Sequence, residues 1–167
     1  ELLYEDDKVL VRTIPLQHRV YTNGFLFQEK EGERRLNMDA IAQYPEIEVC
    51  DYQNIKNGKD ITLENGKTIA NTELTFEPHR PQSYAYCSDT VYLEDLATEI
   101  QGTRVIYHES TFLKINEELA AKTMHATAYQ AGLVAKNAQA EALILGHYSS
   151  RYPDVNMFKQ EAQEVFK

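Results

Sequence analysis

Short apolar runs of strand character alternate along the chain with stretches of helical spacing. Residues 9–14 are rich in β-branched side chains and predict a strand that ends at Pro15. Further strands are predicted at residues 24–28, 83–87, 104–107 and 142–145, the last of them buried. Helices are predicted at residues 92–100, 116–122, 127–138 and 155–166. This order of elements predicts an α/β fold.

The start of one helix is marked by a capping signal. Thr127 is followed three positions later by Gln130, which is the spacing of a capping box. Ala131, Val134 and Ala138 then share one face of the predicted helix. His125 therefore lies just before the helix begins.

Residues 30–82 differ from the rest because they are charged and contain few long apolar runs. Asn65-Gly66, between two β-prone segments, predicts a hairpin over residues 61–69. Pro78 and Pro81 close the region. We expect an inserted arm at 30–82 between two parts of one domain, residues 1–29 and 83–167.

Composition narrows the class of protein. The chain has 167 residues, of which 43% are hydrophobic, as expected for one globular unit. No apolar run approaches the ~20 residues that span a bilayer, so we expect no membrane association, and no secretory signal is visible. Cys50 and Cys87 form no metal-binding or disulfide pattern, which favours a reducing cytoplasm.

The net charge of −9 argues against a general nucleic-acid binder, which needs basic surface to displace counterions from phosphate. A local basic patch or bound metal ions can still supply positive field where an RNA enzyme needs it. Charge therefore lowers the expectation of an RNA enzyme without excluding one.

Polar residues follow successive predicted strands. His18 follows the first, Asp89 the third, His108 and Glu109 the fourth, and His147 the fifth. In α/β sheets that edge is where ligands bind. Imidazole and carboxylate groups suit zinc, so several ligands can meet there.

Each of these residues also has a purely structural interpretation. A lone histidine after a strand is usually a surface or hydrogen-bonded residue. Asp89 can cap the next helix, Glu109 can be solvated, and His125 can simply lead into a helix cap. The repetition at one edge favours a site over these alternatives.

Four segments occur in an order that resembles a known family. They are residues 84–90, 105–112, 125–131 and 143–152. Together they resemble the late motifs of the ribonuclease Z family in the metallo-β-lactamase superfamily. His108-Glu-Ser-Thr111 is similar to its HEAT motif, with Ser for Ala, and His125-Ala-Thr127 is similar to its HST motif, with Ala for Ser. Residues 16–30 match the segment with an earlier metal-binding histidine.

The resemblance implies the C-terminal half of an αβ/βα sandwich, with an inserted arm. It implies a zinc-dependent endonuclease that removes the 3′ trailer of precursor tRNA, with two zinc ions per complete subunit. His18 would ligate the first zinc and His147 the second, with Asp89 bridging both. His125 would act at the phosphate or leaving group, paired with Glu109.

The resemblance also suggests RNA contacts. Ser149 and Arg151 would contact phosphate, although Arg151 can equally form a surface ion pair. Residues 30–82 would be the family's flexible arm, an exosite for tRNA, with Lys56, Lys59 and Lys67 near the hairpin as phosphate contacts. Arg34 and Arg35 lie near its base, and residues 44–51 are acidic. A solvated polar insertion is the alternative.

The family's earlier HxHxDH metal motif is absent from this sequence. The chain also starts abruptly at Glu1, which favours a piece of a longer protein. We therefore expect the chain alone to bind zinc poorly and not to cleave RNA, and we expect a homodimer. Two other functions remain open: a hydrolase of small phosphodiesters or sulfate esters with the same fold, and a non-catalytic RNA-binding half-domain.

Overall fold

A computed structural model describes residues 1–167 and divides them into two compact units. The first comprises Glu1–Glu29 and Gln82–Lys167, and the second is Lys30–Pro81. Gln82 belongs to the first unit, one residue earlier than the expected arm boundary. The reason is that its carbonyl accepts a hydrogen bond from the Glu29 N–H at 2.8 Å, which continues the strand pairing.

The strands in chain order are β1 Leu2–Glu5, β2 Val9–Pro15, β3 Asn23–Glu29, β4 Arg35–Leu36, β5 Ile61–Thr62, β6 Thr68–Ile69, β7 Thr75–Phe76, β8 Ser83–Cys87, β9 Val105–Glu109 and β10 Ala142–Gly146. The α-helices are α1 Met38–Ile41, α2 Tyr52–Lys56, α3 Asn71–Leu74, α4 Leu96–Glu99, α5 Glu117–Thr123, α6 Ala128–Asn137 and α7 Asn156–Ala162. Short 3-10 helices cover Val49–Asp51 and Lys114–Asn116. None of the helices has the length and apolarity needed to cross a bilayer.

The first unit is built on one six-stranded sheet with the order β1-β2-β3-β8-β9-β10. The pairs from β1 to β8 are antiparallel, whereas β8, β9 and β10 are parallel to one another. Strand β2 therefore runs in the same direction as these three strands. The carboxyl ends of all four meet at one edge of the sheet.

One face of this sheet is covered by helices. Leu26, Ala85 and Ile106 lie side by side across three strands and are buried. Val134 of α6 and Leu96 of α4 are part of the same core cluster. The capping box of Thr127 and Gln130 is present at the start of α6, as the sequence predicted.

The opposite face of the sheet is open and aromatic. Phe25, Tyr86, Tyr107 and Ile144 lie side by side across four strands, and all but the half-buried Tyr107 are exposed. The prediction that residues 142–145 form a buried strand is wrong. Ile144 is 48% exposed because β10 is an edge strand and this residue lies on the open face.

Three other predictions needed correction. The helix expected at 92–100 is only α4, because residues 93–96 form a turn in which the Leu96 N–H donates to the Leu93 carbonyl at 3.2 Å. The helix expected at 155–166 ends at Ala162. Strand β1 was not predicted, since its residues are exposed and its conformation depends on pairing with β2.

The second unit has a hydrophobic core of its own, although its sequence is charged. Six buried residues form this cluster: Ile41, Ile47, Ile55, Leu63, Ile69 and Leu74. The predicted hairpin is present as β5 and β6, with Gly66 in the left-handed conformation at φ 82°. The second unit is therefore folded around a core, and both the exosite role and its alternative, a polar insertion without RNA contacts, stay predictions.

Candidate active site

Four polar residues are carried to one edge of the sheet by four strands. His18 follows β2, Asp89 follows β8 by two residues, Glu109 ends β9, and His147 directly follows β10. Because those strands share one direction, their carboxyl ends lie at the same edge of the sheet. The edge predicted from the sequence is thus present in the structure.

The backbone turns sharply at two of these positions. Asp89 has φ 55° and His147 has φ 61°, both in the left-handed region. Non-glycine residues rarely adopt this conformation, and it concentrates at functional sites. The turn ends each strand abruptly and holds both side chains at the sheet edge.

Asp89 and His147 approach closely without forming an aligned hydrogen bond. Oδ1 of Asp89 lies 2.9 Å from Nε2 of His147. That Oδ1 atom is buried, although about half of the Asp89 side chain is exposed, and no hydrogen bond satisfies it. A buried oxygen with free lone pairs beside an imidazole nitrogen fits a metal ion as the shared partner.

Glu109 is completely buried and surrounded by donors. Five donors lie between 2.7 and 3.3 Å from its two oxygens: the backbone N–H groups of Thr90, Thr111 and Ala126, the Thr111 hydroxyl, and Nδ1 of His125. A carboxylate offers about four lone-pair sites, so no lone pair of Glu109 is left for a metal. Glu109 instead orients His125, whose Nδ1 lies 2.8 Å from Oε1.

Asp89, Glu109, His125 and His147 form a group whose potential ligand atoms all lie within 4.8 Å of one another. Since Glu109 is saturated by donors, the atoms left for a metal or a substrate are Oδ1 of Asp89 and the Nε2 atoms of His147 and His125. The group therefore combines two potential metal ligands, Asp89 and His147, with one carboxylate–imidazole pair, Glu109 and His125.

His18 lies beside this group. Its ring centroid is 4.8 Å from that of His125, and its Nδ1 lies 2.8 Å from the Met124 carbonyl oxygen. A carbonyl only accepts, so Nδ1 of His18 carries the proton and Nε2 keeps its lone pair. This is the form that a metal-ligating imidazole requires.

His108 was expected just past the end of its strand, and this is wrong. It lies within β9 and is fully buried, with Nδ1 2.7 Å from the Glu109 carbonyl oxygen and Nε2 without a partner. Burial lowers the pKa of His108, which favours the neutral ring. His108 belongs to the interior beneath the site.

The proposed phosphate contacts near His147 have distinct surroundings. The Ser149 N–H donates to the Thr111 carbonyl at 3.1 Å. The Arg151 guanidinium lies over the Phe112 ring, 5.6 Å from its centroid, and that ring is 6.3 Å from the His125 ring. Arg151 is therefore held by an aromatic contact near the site.

Lys56, Lys59 and Lys67 of the second unit each have a local partner. Lys56 lies 3.8 Å from the Glu33 carboxylate, and Lys59 donates to Asn54 at 3.0 Å. Lys67 lies 5.6 Å from the centroid of the Tyr44 ring. Phosphate binding by these residues would have to replace or share those contacts.

Thr111, the last residue of the His108-Glu-Ser-Thr111 segment, is a further site residue that was not predicted from the sequence. Its hydroxyl oxygen lies 2.7 Å from both Glu109 Oε2 and His147 Nδ1. The only sequence signal was a hydroxyl residue two positions after Glu109.

Comparison with known proteins shows what this chain is similar to. It is 43% identical over 99% of its length to the ribonuclease Z of Phocaeicola vulgatus, and 43% identical over 99% to that of Porphyromonas gingivalis. These alignments cover 53% and 54% of the two relatives. The resemblance to ribonuclease Z is confirmed. The chain spans about half the length of the ribonuclease Z relatives that it matches.

The solved structures similar to this chain share its fold. The metallo-β-lactamase fold protein YhfI from Bacillus subtilis superposes with a TM-score of 0.62 at 13% identity, covering 99% of this chain and 46% of that protein. The short form of human tRNase Z gives a TM-score of 0.54 at 18% identity, covering 90% of this chain and 39% of that protein. The metallo-β-lactamase fold is therefore confirmed, as about half of such a fold. No known protein-family model matches the chain.

Proposed function

We propose that this chain supplies part of the active site of a zinc-dependent endoribonuclease that removes the 3′ trailer of precursor tRNA. The observation that carries the proposal is the 2.9 Å contact between Nε2 of His147 and Oδ1 of Asp89, a buried oxygen that no hydrogen bond satisfies. The similarity to ribonuclease Z proteins over the whole chain supports the substrate class.

His18, Asp89 and His147 would hold the metal. Asp89 suits a bridging position because its two carboxylate oxygens can each meet one ion. When two zinc ions are bound, they supply an activated hydroxide and stabilise the charge that grows on the scissile phosphate.

The chain's own residues would manage the proton and the phosphate. Nδ1 of His125 donates to Glu109, so the doubly protonated ring would deliver its Nε2 proton to the leaving oxygen of the RNA and keep the Nδ1 hydrogen on Glu109. Arg151, with its forked donors, and Ser149 would bind the phosphate. Lys56, Lys59 and Lys67 would contact tRNA phosphates from the second unit.

A chimera tests the activity. Residues 1–167 would replace the matching half of the Phocaeicola vulgatus ribonuclease Z, and cleavage of precursor tRNA would be measured with zinc present. We expect cleavage at the 3′ trailer and its loss in Asp89→Ala and His147→Ala. Full activity of both variants would contradict the proposal.

The isolated chain of residues 1–167 provides a second test. Without an HxHxDH segment it would bind zinc weakly and leave precursor tRNA intact. Robust cleavage by residues 1–167 alone would contradict this part of the proposal.

The two other functions predict different results with the same protein. A hydrolase of small phosphodiesters would turn over bis(p-nitrophenyl) phosphate efficiently and precursor tRNA poorly. A non-catalytic RNA-binding module would bind RNA without cleaving it, and Asp89→Ala would not alter that binding. The unsaturated Asp89 oxygen favours the metal enzyme over the binding module.

The cellular setting and the assembly are further parts of the proposal. We place the protein in the cytoplasm, where precursor tRNA is processed, and expect a homodimer. The open aromatic face around Tyr86 gives residues 1–167 an apolar surface for association. Sedimentation of the chimera and of the isolated chain would establish both oligomeric states.

A further inference from the structure

The Thr111 hydroxyl connects the two functional parts of the site. Its oxygen lies 2.7 Å from Oε2 of Glu109 and 2.7 Å from Nδ1 of His147. A third, longer contact of 3.3 Å reaches Nδ1 of His125. One side chain thus touches the carboxylate–imidazole pair and a proposed metal ligand.

The direction of the protons in this chain of contacts follows from the chemistry of the groups. Glu109 accepts from five donors, so the short contact with Thr111 requires the hydroxyl to donate to Oε2. A hydroxyl has one proton to donate. Its oxygen can therefore only accept from His147, and Nδ1 of His147 must carry a proton.

The position of that proton decides which nitrogen of His147 can bind a metal. A neutral imidazole with hydrogen on Nδ1 has its lone pair on Nε2. In His147, Nε2 is the nitrogen that lies 2.9 Å from the free Asp89 oxygen. The tautomer required by Thr111 is thus the tautomer required by a metal at this position.

We propose that Thr111 is a positioning residue that fixes the His147 tautomer and ties the metal ligand to the Glu109–His125 pair. The inference rests on the proposed metal role of His147. It adds that the orientation of this ligand depends on Glu109, through a single hydroxyl. His18 gains the same tautomer from a backbone carbonyl, whereas His147 gains it from a hydroxyl that is hydrogen-bonded to Glu109.

The substitution Thr111→Val removes the hydroxyl and keeps the shape of the side chain, whereas Thr111→Ser keeps the hydroxyl. Thr103→Val is the matched control, because Thr103 is also buried but precedes β9 at the end remote from the site. Two measurements apply: the His147 tautomer by ¹⁵N NMR on residues 1–167, and zinc affinity of the chimera by chelator competition.

In the unsubstituted chain at about pH 8, where ordinary imidazoles are neutral, NMR should find hydrogen on Nδ1 of His147. Thr111→Val should give a mixture of tautomers and weaken zinc binding by ~10–100-fold, as expected for the loss of such a supporting contact. Thr111→Ser should restore both properties, and Thr103→Val should change neither.

Hydrogen on Nε2 of His147 in the unsubstituted chain would overturn the inference even if Thr111→Val failed to fold. An unchanged tautomer and zinc affinity in a folded Thr111→Val would overturn it as well. The NMR result does not depend on RNA cleavage. A chimera that cleaves no RNA while His147 shows the expected tautomer would therefore count against the proposed function and in favour of the role of Thr111.

Discussion

Oε1 of Glu109 lies 2.8 Å from Nδ1 of His125, and both side chains are largely shielded from water. The carboxylate comes from the end of β9, and the imidazole from the segment before α6. Because Glu109 is fully occupied by donors, its influence on the chemistry must pass through groups that donate to it, of which His125 and Thr111 reach the rest of the site.

Glu109→Gln should therefore lower activity and stability together. The NH2 group of the new amide would take the place of one of the two oxygens and would face either the Thr90 N–H or the Ala126 N–H, at a cost of ~1–3 kcal/mol in the free energy of unfolding. The kcat of the chimera should fall by ~10²–10⁴-fold, the usual contribution of an acid–base group. Glu118→Gln, at an exposed position of α5, is the control for both measurements. A normal kcat in a folded Glu109→Gln would refute the pairing.

Gly132 allows α6 and α7 to pack closely. A Cβ at this position would lie 2.8 Å from Cγ2 of Val165 and 2.9 Å from the Ala162 carbonyl oxygen. Alanine has a helix propensity ~1 kcal/mol better than glycine, but overpacking against backbone costs ~1–3 kcal/mol. We expect Gly132→Ala to lower the free energy of unfolding in denaturant titrations. Lys136→Ala on the exposed side of α6 should change it by less than ~0.5 kcal/mol. Stabilisation by Gly132→Ala would contradict close packing of Gly132 against Ala162 and Val165.

The two cysteines should differ in reactivity. Cys50 is exposed and Cys87 is buried, so a thiol reagent should modify one thiol in the folded chain and both after denaturation. In the folded Cys50→Ser chain, the reagent should modify no thiol. Reaction of Cys87 under native conditions would indicate that the sheet core opens easily.

The buried thiol also predicts a pH dependence of stability. Burial raises the pKa of the Cys87 thiol to about 12 from an ordinary value of 9.0. A group whose pKa is raised on folding contributes stability below its unfolded pKa and loses it as pH rises towards the folded value. Between about pH 8 and 10, the free energy of unfolding should fall more steeply in the Cys50→Ser chain than in the same chain carrying Cys87→Ala. Equal slopes would contradict the shift.

The second unit can be removed at a defined point. Glu29 and Gln82 are joined by a backbone hydrogen bond of 2.8 Å, so an Asn-Gly turn can connect β3 directly to β8 in place of Lys30–Pro81. If the unit is a tRNA exosite, this deletion in the chimera should raise KM for precursor tRNA far more than for bis(p-nitrophenyl) phosphate. An equal change in KM for both substrates would contradict the exosite role.

The sequence determined the features that depend on neighbours in the chain. The turn at Asn65-Gly66, the capping box at Thr127 and the strands around Leu26 and Ala85 were all predicted, because a few adjacent residues fix each of them. The location of polar residues at strand ends was likewise visible in the sequence. The motif resemblance supplied their proposed roles.

Only the tertiary structure decided how those residues engage one another. Nδ1 of His18 meets the Met124 carbonyl across 106 positions of sequence, and the donors of Glu109 come from three separate segments. Saturation of Glu109, the unpartnered oxygen of Asp89 and the link through Thr111 depend on distances between remote segments. Local sequence patterns do not encode those distances, because they are set by strand order and by the packing of helices on one face of the sheet.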